Sequence, residues 1–224
     1  MNYLDTFANK LSTIFRSSLI RVSDAIKLDR NAKKYLSQLA KAGRIEKVAW
    51  GWYCVPDSAN DFFKFMATDK NFKVLHKQSA ASFWNGDFVH REQFSVAVRD
   101  KSFAPALLAF TKTRGWNVSV EVRQFKPSQY VTIDGLHVEA LEDTIIDCLK
   151  SWAFADAFSS LQLNRKRVSQ RKLSLHYWER IPRSNVRVGQ ILQYESSTER
   201  KLSIADDFLR RQVEEAAERV SEFG

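Results

Sequence analysis

Apolar residues recur at the three-and-four spacing of one helical face at Leu4, Phe7, Leu11, Ile14 and Phe15, with Asn2, Asp5, Asn9 and Lys10 off that face. The spacing predicts an amphipathic helix over 3–16. After the Ser17-Ser18 break, 19–22 is a short β-prone run, and Ser23 suits the N-cap of a short helix reaching Leu28. Asp29 can cap a third helix over 30–42. Its apolar stripe is Ala32, Tyr35, Leu36, Leu39 and Ala40; Arg30, Lys33, Lys34, Ser37, Gln38 and Lys41 form the opposite stripe, and Gly43 is placed to end it. Two short strands, 45–48 and 52–55, then flank Ala49-Trp50-Gly51, where glycine can take the positive φ of a turn.

Helix, helix, helix, hairpin is the order of a winged helix-turn-helix. Residues 56–60 read as a short linker, after which strand and helix patterns alternate: a helix near Ala80, a strand over 94–98 and a helix over 104–112 closed at Gly115. Strands follow at 118–122 and 131–133. A last helix over 204–223 has Ser203 as cap and Asp206 and Asp207 in its first turn. The expected fold class is α+β, with a winged helix over 1–56 and a mixed α/β domain with a helical C-terminus over 57–224.

Charge sharpens this picture. The chain of 224 residues carries a formal net charge of +9, and residues 1–56 hold ten Lys/Arg against four Asp/Glu. A basic excess concentrated in one quarter of the chain points to a polyanionic partner, because Lys and Arg release counterions from nucleic acid. The polar stripe of the third helix holds six donor-bearing residues and no acid, whereas solvated faces usually mix signs. Double-stranded DNA is therefore the expected partner. Arg30, Asn31, Lys33, Lys34, Ser37, Gln38 and Lys41 would meet it in the major groove, and Trp50 at the tip of the wing.

The run from Asn31 to Tyr53 resembles the N-terminal domain of AbiEi-type antitoxins and related transcriptional regulators, in which a helix ending Leu-x-x-x-Gly-x-Ile/Leu leads to a wing ending Gly-x-Tyr. Leu39 to Gly43, Ile45, and Gly51 to Tyr53 carry that pattern here. Ser79-Ala-Ala-Ser-Phe-Trp84 is similar to the helix opening the family's second domain. Ile133-Asp-Gly-Leu-His-Val138, followed by Glu142 and Asp147, resembles its Gly-Ile/Leu-x-Val and Glu-x-x-x-x-Asp segment, and Arg187-Val-Gly-Gln-Ile-Leu192 its late Arg-x-Gly-x-x-Leu stretch. Trp50 stands where a basic residue often precedes the wing glycine, and the segment Glu142-Asp143-Thr144 is more acidic than usual. The resemblance implies a repressor of its own toxin–antitoxin operon, acting at an inverted repeat, whose second domain counters a toxin of nucleotidyltransferase type or acts on that toxin's target.

Other residues bear on the remaining function classes. Residues 164–187 hold eight Lys/Arg against the single acid Glu179. Arg165, Lys166, Arg167, Arg171 and Lys172 are accordingly expected to form a partner-facing or second nucleic-acid surface. Glu139, Glu142, Asp143 and Asp147 invite a metal-dependent nuclease reading. It is set aside because Leu141, Ile145, Cys148, Leu149 and Trp152 form a buried stripe that leaves the acids on a solvent face. His76, His90, His137 and His176 are scattered, no GxxxxGK[ST] or GxGxxG occurs, and Cys54 and Cys148 belong to no Cys/His cluster. No catalytic residue, metal or cofactor is expected. The longest apolar stretch, 103–110, is broken by Pro105 and is too short to cross a membrane, and 1–16 lacks the pattern of a signal peptide, so a cytoplasmic protein is expected. The expected function is that of a DNA-binding antitoxin-type repressor, not an enzyme. The alternatives are a winged-helix regulator or defence accessory protein without a toxin partner and, remotely, a metal-dependent nuclease.

Overall fold

The apolar stripes of the N-terminal helices close on one another. In the computed structural model, which describes residues 3–16, 18–56, 61–68, 70–88 and 92–180, helix α1 (Tyr3–Ile14) buries Phe7, Ala8 and Leu11. Strand β1 (Ile20–Arg21) and helix α2 (Val22–Ile26) follow, then α3 (Ala32–Lys41), whose Ala32, Leu36 and Leu39 are wholly buried in the same core as Phe15, Ile20, Ala25 and Ile45. Strands β2 (Glu46–Ala49) and β3 (Trp52–Cys54) form an antiparallel hairpin, and β1 pairs with β3 to give the sheet order β1-β3-β2. Gly51 has φ +72° at its turn.

Two helix starts differ from expectation. Helix α2 begins at Val22 and not after Ser23, because the Val22 N–H donates to the Gly51 carbonyl at 3.0 Å, so the hairpin satisfies a donor that a serine cap would have served. Helix α3 begins at Ala32, since the Asp29 carboxylate accepts the Asn31 N–H at 2.7 Å and leaves Arg30 and Asn31 in the turn ahead of the helix.

Helix α4 (Phe62–Met66) is capped by Asp61, whose carboxylate accepts the Phe63 and Lys64 N–H groups. A five-stranded sheet of order β6-β5-β4-β8-β7 is built from β4 (Lys73–Leu75), β5 (Phe94–Val98), β6 (Val118–Val122), β7 (Tyr130–Ile133) and β8 (Leu136–Glu139). Between α4 and β5 lies α5 (Lys77–Asn85), and α6 (Phe103–Thr113) supplies the crossover that lets β5 and β6 run parallel. Strand β4 pairs antiparallel with β5 and parallel with β8. The β7–β8 turn places Asp134 at φ +50° and Gly135 at φ +82°, the pair of positive φ values a tight hairpin takes from an Asp-Gly dipeptide.

The chain divides into two compact units: Met1–Leu75 with Glu92–Val138, and His76–Arg91 with Glu139–Gly224. The boundary expected at residue 56 falls inside the first. There the buried Trp52 ring lies 5.2 Å from Phe103, Arg114 reaches Glu46 at 3.2 Å and Arg21 reaches Asp100 at 2.8 Å. The second unit gathers α5, α7 (Leu141–Lys150), α8 (Phe154–Leu163) and α9 (Gln170–Arg180) around Ala81, Leu141, Ile145, Ile146, Leu149, Ala157 and Leu173. No helix among the described residues is long and apolar enough to cross a membrane. The expected helix over 204–223, the Arg187–Leu192 stretch and the basic residues Arg183 and Arg187 lie outside the described residues.

Candidate nucleic-acid interface

The polar stripe of α3 is exposed along its length. Lys33, Lys34, Ser37, Gln38 and Lys41 are solvent-facing on the helix, and Arg30 and Asn31 are solvent-facing in the turn before it. The opposite face is anchored: Leu36 and Leu39 are wholly buried, and the Tyr35 ring packs 5.3 Å from Phe7. A rigid apolar footing of this kind fixes which way the polar side chains point. Among the described residues no carboxylate forms a salt bridge with Arg30, Lys33, Lys34 or Lys41, whereas the nearby Arg44 is taken by Asp5 at 2.6 Å and Lys27 by Asp24 at 2.8 Å. Arg30, Lys33, Lys34 and Lys41 therefore leave positive charge open to solvent on the face of α3 and its leading turn.

At the hairpin, Trp52 is buried, Tyr53 half-buried and Trp50 92% exposed. The Lys47 ammonium stands 5.8 Å from the Trp50 ring, so the tip pairs an aromatic plate with a cation. The register pairs Lys47 with Tyr53 and slips by one before Ala49, where Lys47 stands beside Trp50. Sequence reasoning missed Lys47; its place in the strand before a tryptophan-glycine turn was the available signal.

Behind the hairpin, Cys54 is a buried thiol pushed up to about 12, by burial first and then by the neighbouring Glu46 carboxylate. It is no nucleophile at neutral pH. Asp100, despite a burial that would raise it, is held below the usual carboxylate range by the Ser102 hydroxyl and N–H and by Arg21.

In the second unit, Arg165, Lys166 and Arg167 are exposed in the turn between α8 and α9, and Arg171 and Lys172 in the first turn of α9. Arg167 lies 5.3 Å from the Trp84 ring. Cations at a helix start oppose the helix dipole. They are offset by Glu142, which accepts the Ser169 N–H at 2.6 Å immediately ahead of α9.

The acidic set is not a solvent face, which corrects the expectation. Glu139, Glu142, Asp143 and Asp147 are all buried, as is every residue of α7 from Leu141 to Leu149, while Trp152 is 74% exposed instead of buried. Burial without compensation would be prohibitive for such groups. Arg180, assigned by its neighbours to the basic surface segment, instead turns inward and donates to both Asp143 and Asp147. His176 Nδ1 stands 3.4 Å from Asp143, and the Lys77 N–H donates to Glu139 Oε2 at 3.0 Å. The histidines are not all scattered either. A ligand atom of His76 lies within 4.8 Å of ligand atoms of Glu139 and Asp147, the one such group among the described residues able to hold a metal ion.

No family model matches the chain, and no curated protein matches it.

Proposed function

We propose that the protein is a DNA-binding transcriptional regulator in which the N-terminal helices and hairpin act as a winged helix-turn-helix, with α3 lying in the major groove and the β2–β3 hairpin serving as the wing. The observation that carries this reading is the exposed, acid-free donor face of α3 set on a buried apolar footing. Arg30, Lys33, Lys34 and Lys41 supply phosphate neutralisation, while Ser37 and Gln38, short polar groups on the same face, suit base edges. Trp50 with Lys47 at the hairpin tip suits a sugar-phosphate contact in the adjoining groove.

The AbiEi-type resemblance of Leu39 to Tyr53 and of Ser79 to Trp84 extends the proposal: the regulated operon encodes the protein itself together with a nucleotidyltransferase-type toxin. The exposed Arg165, Lys166, Arg167, Arg171 and Lys172 are then the surface that meets the toxin or its target.

The test is the salt dependence of duplex binding by fluorescence anisotropy. Log Kd against log salt should rise with a slope of several units, and Lys33→Ala or Lys41→Ala should lower that slope by about one while weakening all sequences alike. An affinity that stays flat from about 50 to about 200 mM salt refutes DNA binding through this face.

A further inference from the structure

The proposed DNA-binding face makes no use of the buried polar cluster of the second unit. Three side chains from distant parts of the chain converge there: His76, immediately before α5; Glu139, the last residue of β8; and Asp147, in α7. Their relative exposures are 2%, 0% and 4%, and one ligand atom from each lies within 4.8 Å of the other two. A solvated acidic face does not look like this, since solvated carboxylates spread apart and point outward.

The cluster lies among other buried ionisable groups. Glu139, Asp143 and Asp147 are buried anions when ionised, and Arg180 brings one positive charge shared between the two aspartates. Glu142 is a fourth buried carboxylate, engaged with the Ser169 N–H. Among the described residues, the imidazoles of His76 and His176 also face these carboxylates. Two carboxylates held this close out of water repel unless a proton or a cation lies between them, and an imidazole beside them is the kind of third donor a metal ion takes.

We propose that His76, Glu139 and Asp147 bind a divalent first-row transition-metal ion. One imidazole nitrogen with two carboxylate oxygens is a donor set for zinc, manganese, iron or cobalt; calcium takes six to eight oxygens, and copper(I) takes soft sulfur ligands. Ligands about 2.0–2.2 Å from a zinc ion lie roughly 3–4 Å from one another, so side-chain rotation of about an ångström closes the group. The supporting contacts that orient metal-binding carboxylates in known sites have counterparts here: the Lys77 N–H on Glu139 and the Arg180 guanidinium on Asp147. The ion would join the residue before α5 and the end of β8 to α7.

The full-length chain, stripped with EDTA and dialysed, is titrated with Co²⁺ and Zn²⁺. Binding is followed by the visible absorption of bound Co²⁺, by elemental analysis after gel filtration and by thermal unfolding. The expected result is one equivalent per chain and a Tm higher by about 5–10 °C at a hundredfold excess of Zn²⁺ over Kd. Asp147→Asn, Glu139→Gln and His76→Gln should lose the tight equivalent, and His176→Gln should keep it. Should the three variants fail to fold, the stoichiometry and Co²⁺ spectrum of the wild-type chain still decide. Failure of the stripped wild-type chain to take up Co²⁺ or Zn²⁺, with an unchanged Tm, overturns the proposal; so does binding by all three folded variants equal to that of the wild type.

Discussion

Replacing Arg180 with Met is the most direct probe of the buried charge in the second unit. The substitution keeps most of the side chain's length and apolar stem, so packing changes little and the loss falls on the guanidinium. That group is 16% exposed and donates to Asp143 and Asp147, whose side chains are 1% and 5% exposed. Breaking a buried pair by removing one partner costs about 3–5 kcal/mol, because the charge left behind can neither return to water nor find a substitute. Here two carboxylates lose the guanidinium at once, and His176 stands 3.4 Å from Asp143. A loss of about 3–5 kcal/mol is therefore expected, against total stabilities of roughly 5–15 kcal/mol for a domain. Urea unfolding at neutral pH measures it, with hydrogen exchange of the α7 amides reporting on the second unit by itself.

The control is the triple variant Arg180→Met, Asp143→Asn, Asp147→Asn. Removing all three charges together should recover most of the lost stability, since an ion pair replaced as a whole is close to neutral. If Arg180→Met costs less than about 1 kcal/mol, or costs the same in the double-Asn background, the guanidinium contributes packing alone and the electrostatic account of α7 fails.

Three further outcomes are expected. Gln38→Ala should lose about 1–3 kcal/mol of discrimination between the specific site and random DNA, with random-sequence affinity nearly unchanged; equal losses on both would assign Gln38 to the backbone. Gly135→Ala should destabilise the chain by about 1–3 kcal/mol in thermal unfolding, because φ there is +82° and an added Cβ would meet the Ala67 carbonyl oxygen at 3.0 Å; an unchanged Tm would show that the turn relaxes freely. Cys54 should resist thiol reagents in the native chain at pH 8 and react on unfolding. Because its folded pKa is raised from 9.0 to about 12, the unfolded thiol ionises first, so its contribution lowers stability as pH rises from about 9 towards 12. Rapid labelling of native Cys54 at pH 8 would contradict the burial.

The first fifty-five residues were legible because each helix there has one dry face. Periodicity finds Phe7 and Leu11, or Leu36 and Leu39, only when the other side of the helix is wet. Strands β5 and β6 were legible for the same reason of local pattern. Strand β4 was not. Its three residues are all buried, and one is Lys73, whose ammonium donates to the carbonyls of Lys70 and Asn71 at 2.9 and 3.1 Å and stands 4.8 Å from the Phe65 ring. A lysine satisfied by a neighbouring loop looks, in sequence, like a break in a strand.

Helix α7 failed for a different reason, and the failure shows how one-signed stripes should be read. Both α3 and α7 carry a polar stripe of a single sign, and in α7 that stripe is buried. They diverge in reach. Lysine and arginine carry a long apolar stem that lets the charge stand in water while the backbone packs, so the basic stripe of α3 can remain exposed. Glu142, Asp143, Thr144 and Asp147 are short, and α7 carries no Lys or Arg before Lys150 to mix the signs of that face. Short acids without interleaved cations suit an internal partner, and the partner lies 33 and 37 residues further on, at Arg180. Local periodicity cannot see that distance. The basic run after Asn164 held the missing cation all along: among its described residues five basic side chains are exposed and one, Arg180, folds inward to close the acidic core.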